Sequence, residues 1–184
     1  LEGYSLDQRE EDGMLLVRSP SAEPLRMDDI TLNIAITGES GAGKSSFVNA
    51  FRGISDEGEG AAPTGIVETT SEVTPYPHPE YRNVTLWDLP GINTTKFPAD
   101  KYLKLVGFEK FDFFIIVSAV RFKENDVKLA QEIQKMKKKF YFVRSKIDND
   151  INAERRKRDF SEERTLTKIR DDCIQGERPH SGAK

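Results

Sequence analysis

Gly38-Glu39-Ser40-Gly41-Ala42-Gly43-Lys44-Ser45 reads G-x-x-x-x-G-K-S/T, a loop pattern that cradles phosphates. A short β-prone run, Leu32-Asn33-Ile34-Ala35-Ile36-Thr37, precedes it. Ser46-Phe47-Val48-Asn49-Ala50-Phe51-Arg52 follows, with apolar residues at helical spacing. Gly38, Gly41 and Gly43 let successive backbone N–H groups aim at one point. The following helix adds its N-terminal partial charge. Lys44 can reach the β- and γ-phosphates, and the Ser45 hydroxyl can ligate Mg²⁺. The nucleotide-binding candidates here are therefore Gly38, Glu39, Ser40, Gly41, Ala42, Gly43, Lys44, Ser45 and Ser46.

A second signature lies downstream. Asn83-Val84-Thr85-Leu86-Trp87 reads as a strand and runs into Asp88-Leu89-Pro90-Gly91. D-x-x-G alone is usually a turn. At the end of a strand, downstream of a phosphate loop, it places Asp88 on Mg²⁺ through its waters and the Gly91 N–H on a γ-phosphate. A third signature follows the strand Phe140-Tyr141-Phe142-Val143. Ser145-Lys146-Ile147-Asp148 matches N/T-K-x-D, with Ser at the first position. Asp148 would accept from the guanine N1–H and exocyclic amine, with the Lys146 stem along the base. Adenine lacks that donor pair and would leave a carboxylate unpaired; such charge-assisted bonds are worth roughly 1.5–3 kcal/mol. All three signatures fall where open α/β sheets bind ligands, at the carboxyl ends of strands.

The rest of the chain supports a doubly wound α/β domain with a mostly parallel sheet. Ile30 to Thr37 is the first buried strand, and the helix from Ser45 ends near Arg52 with Gly53 placed to cap it. Asp56 to Gly65 reads as a flexible acidic loop and Ile66 to Thr74 as β-prone. Pro75, Pro77 and Pro79 read as the turn of a hairpin. Phe97 to Val106 reads as a helix, and the near-continuous apolar run Phe111 to Ser118 as a central parallel strand. Asn125 or Asp126 caps a helix with Val127, Ala130, Ile133 and Met136 on one face. Asn149 to Ser161 reads as a charged loop and Glu162 to Cys173 as a helix. The division expected is a poorly ordered segment 1–29, a nucleotide-binding domain 30–175 and a disordered tail 176–184.

Bulk properties narrow the classes. A chain of 184 residues is long enough for one domain with a sizeable core. The net charge of −3 argues against a general nucleic-acid binder, although Lys and Arg gather at 135–139 and 155–158. One cysteine, Cys173, excludes an internal disulfide and a cysteine-based zinc site, and it suits a reducing compartment. No apolar run approaches the roughly 18 residues that span a membrane. The first residue is Leu1 rather than Met, which reads as a fragment.

Taken in order, the three signatures resemble a regulatory GTPase. The longer strings are similar to the immunity-related, interferon-inducible GTPases of vertebrates. The resemblance rests on N-I-A-I-T-G-E-S-G-A-G-K-S-S-F-V-N-A-F-R-G-I from Asn33 and on E-G-A-A-P-T-G-I-V-E-T-T, W-D-L-P-G-I, F-D-F-F-I-I-V-S-A-V-R-F-K-E-N-D and K-K-K-F-Y-F-V-R-S-K-I-D. It covers about Asp29 to Cys173, and Lys44 matches the family's lysine-containing branch. It implies Mg²⁺-dependent binding of guanine nucleotide and slow hydrolysis of GTP to GDP. It also implies GTP-dependent homo- or hetero-oligomers with family GTPases. The implied location is cytoplasmic, with peripheral association at endoplasmic reticulum, Golgi or pathogen-vacuole membranes.

Thr64 and Thr70 match switch threonines, either of which could close over the metal. Glu68 matches a glutamate that works at the dimer interface, and Lys44 and Gly91 complete the catalytic set. Ile92 stands where Ras-like proteins carry a water-positioning glutamine, so turnover is expected to be slow without a partner. No strand pattern follows Cys173, so the sheet is expected to lack the family's last strand. That leaves an alternative from another class: a truncated, non-catalytic module that binds other family GTPases or autophagy proteins.

Overall fold

The computed structural model describes residues 30–65, 71–92, 99–120 and 123–177. Five strands form one sheet in the order β2-β3-β1-β4-β5. They are β1 (Leu32–Thr37), β2 (Thr74–Pro77), β3 (Val84–Asp88), β4 (Phe113–Ser118) and β5 (Lys139–Arg144). β3, β1, β4 and β5 run parallel, and β2 pairs antiparallel with β3. The helices are α1 (Lys44–Phe51), α2 (Ala99–Leu105), α3 (Glu124–Lys135), α4 (Ile147–Glu154) and α5 (Glu162–Glu177). A single 3₁₀ turn, Phe108–Lys110, leads into β4.

The central strands alternate their side chains between two cores, as the two-residue period of a strand requires. Ile34, Ile36, Leu86, Ile115 and Val117 pack with Val48 of α1 and with Ala42 and Ala62. Ala35, Phe114 and Ile116 point the other way, onto Tyr102 and Leu103 of α2 and Leu129, Ala130 and Ile133 of α3. Strands buried on both faces read as continuous apolar runs, which is why β4 is conspicuous in the sequence. Gly53 takes φ 67° just past α1 and donates its N–H to Ala50 O, the expected stop.

Several local expectations need correction. Pro75 and Pro77 are not the hairpin turn. Both lie within β2, opposite Trp87 and Thr85 of β3. β2 is an edge strand, where a residue without an N–H costs no ladder bond on the open side. Of the β-prone run Ile66 to Thr74, residues 66–70 lie outside the described residues, and the strand begins only at Thr74. Asn149 to Ser161 is not a continuous loop, because α4 starts at Ile147 and carries Asp148 and Asp150 in its first turn. Carboxylates there favour the helix N-terminus, a signal the charge-rich reading passed over. α3 is entered through Lys123, not Asn125 or Asp126. Asp126 instead reaches back, accepting from the Lys123 N–H at 3.1 Å. α5 continues to Glu177, past the expected Cys173 and two residues into the segment 176–184 expected as tail. Phe97, expected to open α2, lies outside the described residues, as does the segment 1–29.

One buried side chain disciplines the loop after α1. Asn49 is fully buried. Its amide donates to Asp56 Oδ1 and Ala62 O, each at 2.9 Å, and its carbonyl accepts from the Ala62 N–H at 2.6 Å. Arg52 adds bonds to Pro77 O at 3.0 Å and Gly60 O at 2.8 Å. The acidic stretch 56–62 is thus anchored at Asp56, Gly60 and Ala62. Asn49→Ala should leave the buried Ala62 N–H and C=O without partners and cost about 2–4 kcal/mol. Urea denaturation reads this directly; an unchanged midpoint would show that the loop is held by something else.

Candidate functional site

The carboxyl ends of β1, β3 and β5 deliver the three motifs to one edge of the sheet. The phosphate loop leaves β1 at Gly38, which adopts φ 141°. A Cβ there would sit 2.1 Å from Val117 O on the neighbouring strand β4. Gly41 and Gly43 take φ 74° and 87°, left-handed values that aim the backbone into the loop and start α1. Lys44 is buried, and its Nζ donates to Glu39 O at 3.1 Å. The ammonium is thereby folded back over the loop. Glu39 and Lys123 form an ion pair at the loop's rim, linking it to the start of α3. Of the other loop residues, Ala42 lies in the core and Ser40 and Ser46 lie at the surface.

β3 brings Asp88, fully buried, to the start of α1, where the Ser45 hydroxyl donates to Asp88 Oδ2 at 2.6 Å. A hydroxyl and a carboxylate in contact make an all-oxygen donor set, which is what Mg²⁺ prefers. The residues present therefore fit that ion, and Ser45 and Asp88 are the residues that would hold it. The turn after Asp88 is laced to β1 and the phosphate loop. The Leu89 N–H donates to Ile36 O and the Ile92 N–H to Gly38 O, each at 3.0 Å. Gly91 lies so close to Ser40 that a Cβ would meet Ser40 Cα at 2.7 Å. Ile92 turns its side chain into the core beside Leu89 and Leu103.

The serine-lysine-aspartate motif is tied to the same loop. Ser145 Oγ donates to Ala42 O at 2.6 Å, and the Ser145 N–H donates to Ser118 O at 2.9 Å. Lys146 adopts φ 54°, uncommon for a residue with a Cβ, and its Nζ donates to Gly41 O at 2.8 Å. That twist starts α4 and leaves Asp148 exposed on its first turn. Arg144 pairs with Asp150 of the same turn, fastening α4 to the end of β5.

The structure thus brings together Gly38–Ser46, Asp88, Gly91, Lys146 and the helix that carries Asp148. Thr64 is exposed, just past the anchored end of the loop at Ala62. Glu68 and Thr70 lie outside the described residues. Sequence reasoning missed Tyr102 of α2. Its hydroxyl bridges Thr37 Oγ1, 3.0 Å away, and Pro90 O, 2.9 Å away. Burial pushes the Tyr102 phenol well above its ordinary pKa, so it stays a donor. A tyrosine on an apolar helix face reads as core, and nothing local signals a polar role. Lys123 was missed for another reason: its partner Glu39 is 84 positions away.

A model of the family described as Interferon-inducible GTPase (IIGP) matches residues 15–178. Interferon-inducible GTPase 1 of Mus musculus is 51% identical over 162 residues, covering 86% of this chain and 39% of that protein. T-cell-specific guanine nucleotide triphosphate-binding protein 2 of Mus musculus is 53% identical over 149 residues, covering 80% of this chain and 36% of that protein. The chain therefore spans little more than a third of these relatives' length. Among solved structures, an S. thermophilus NFeoB mutant bound to GDP and AlF4⁻ superposes with TM-score 0.51 at 14% identity, over 79% of this chain and 64% of that one. A second NFeoB mutant, bound to GMPPNP, gives TM-score 0.51 at 17% identity, over 79% and 62%. These two show a shared α/β fold.

Gly38 and Gly41 separate two uses of glycine. Gly41 has nothing within 4 Å of an added Cβ, so Gly41→Ala should carry only left-handed backbone strain, about 1–2 kcal/mol. Gly38→Ala must also push β1 from the Val117 carbonyl and should cost about 3 kcal/mol or more. Paired thermal melts of the two variants measure the difference; equal losses would remove the role given to the β1–β4 approach.

Proposed function

Because the chain belongs to the interferon-inducible GTPase family, we propose that it binds GTP and GDP with Mg²⁺ and hydrolyses GTP slowly. The observation that carries this reading is the bond between Ser45 Oγ and Asp88 Oδ2, which unites the first two signatures around an oxygen donor set. The third signature is tied to the same loop through Ser145 and Lys146.

The chemistry expected of these residues is mostly positioning and charge neutralisation. Loop N–H groups and the start of α1 take the phosphates. Lys44 exchanges its bond to Glu39 O for phosphate oxygens. Ser45 and Asp88 hold Mg²⁺, which when bound neutralises charge on the β- and γ-phosphates. The Gly91 N–H recognises the γ-phosphate. Asp148, on the first turn of α4, accepts from the guanine N1–H and amine, while the Lys146 stem lies along the base. Ile92 is committed to the core and has no polar atom to orient water, so the isolated chain turns over slowly.

The proposal extends to completion of the site across a dimer of family GTPases in the GTP state, with Glu68 at the interface and Thr64 or Thr70 over the metal. It extends also to a cytoplasmic protein that acts peripherally on endoplasmic reticulum, Golgi or pathogen-vacuole membranes. Both extensions rest on the family resemblance.

Calorimetric titration of the 184-residue chain with GDP, GTP and ATP in Mg²⁺ tests the core of this reading. Guanine nucleotides should bind and ATP should not. Asp148→Ala should weaken the guanine ligands by about 1.5–3 kcal/mol, the worth of a charge-assisted pair. An absence of guanine binding would sink the enzyme reading and leave the non-catalytic interaction module in its place. Specific turnover should rise with protein concentration; fast, concentration-independent hydrolysis would rule out completion across a dimer.

A further inference from the structure

The turn from Leu89 to Ile92 spends its backbone donors unevenly. The Leu89 N–H goes to Ile36 O and the Ile92 N–H to Gly38 O, while Pro90 has none to give. Among the described residues, the Gly91 N–H donates to nothing. That N–H shares one peptide plane with the Pro90 carbonyl. There is no cis peptide bond among the described residues, and a planar trans peptide points its N–H opposite to its C=O. Whatever grips the Pro90 oxygen therefore aims the Gly91 N–H.

The grip comes from Tyr102, whose hydroxyl donates to Pro90 O at 2.9 Å. Its single proton is spent there, so its oxygen accepts from Thr37 Oγ1 at 3.0 Å. Thr37 is fully buried and Tyr102 nearly so, and Thr37 immediately precedes Gly38. Each hydroxyl in this dry relay is strengthened by the next. We propose that Tyr102 is a positioning residue for the γ-phosphate: by holding the Pro90 carbonyl it turns the Gly91 N–H away from α2, while Gly91 itself packs against Ser40 of the phosphate loop, and so sets the preference for a nucleoside triphosphate over a diphosphate. This deepens the proposed function and rests on Gly91 being the γ-phosphate donor.

Tyr102→Phe keeps the ring in its core pocket and removes only the hydroxyl. Titration of wild type and variant with GDP and with GMPPNP, both in Mg²⁺, separates a positioning role from a structural one. GMPPNP should weaken roughly three- to tenfold, the size of one net hydrogen bond, while GDP stays within about twofold. Thr37→Val is the companion variant. It breaks the same relay but leaves Tyr102 bonded to Pro90 O, so the GMPPNP-to-GDP ratio should stay as in wild type even if the melting temperature falls. Equal weakening of both ligands in Tyr102→Phe, no change in either, or the same loss of ratio in Thr37→Val would overturn the proposal. Failure of the wild type to bind either nucleotide would instead overturn the guanine-nucleotide reading beneath it.

Discussion

At Gly38 the chain leaves β1 so close to the Val117 carbonyl of β4 that no side chain fits between them. The site depends on that contact. It lets β1 stay in register with β4 up to Thr37 and then turn at once into the phosphate loop. The loop's remaining glycines set the curvature, and α1 begins at Lys44 with its N-terminus facing the loop. A larger residue at Gly38 would have to push apart a pair of parallel strands buried on both faces, where interiors give little.

The same economy governs the neighbouring turn. β1 pairs with β3 through Ile36 opposite Asp88, and the ladder continues past the strand ends into Leu89 and Ile92. One backbone donor of the turn is left over, and it belongs to Gly91, the half-buried residue without a side chain, pressed against Ser40. The apolar residues on either side, Leu89 and Ile92, are fixed in the core that also holds α2 and α3. Core packing and donor placement are two sides of one turn.

The phosphate-loop and serine-lysine-aspartate motifs are likewise one body. Ser145 bonds to Ala42 O across 103 positions and Lys146 bonds to Gly41 O across 105. Lys146 accepts left-handed strain, on the order of 1–3 kcal/mol, to make the turn into α4. The Arg144–Asp150 pair then holds α4 to β5, and with it the helix turn that carries Asp148. A shift in the phosphate loop cannot leave the serine-lysine-aspartate segment where it was.

The sequence by itself determined the phosphate loop, the aspartate-to-glycine turn, the serine-lysine-aspartate motif and the mostly parallel α/β architecture. Each is written in a short window: glycines where the backbone must bend, a carboxylate at a strand end, apolar runs where a strand is buried twice. Tertiary structure alone decided the rest. Pro75 and Pro77 belong to a strand only because β2 lies at the sheet's edge, and edge position is a property of strand order, not of the segment. Tyr102 reaches the turn after β3 only because α2 packs over the ends of β1 and β3, where its hydroxyl finds Thr37 and Pro90. Lys123 finds Glu39 through the return of the chain from β4 to α3. Local windows record what the backbone can do at each position; the partner of a buried hydroxyl or a charged tip is set by which distant strand ends the sheet brings together.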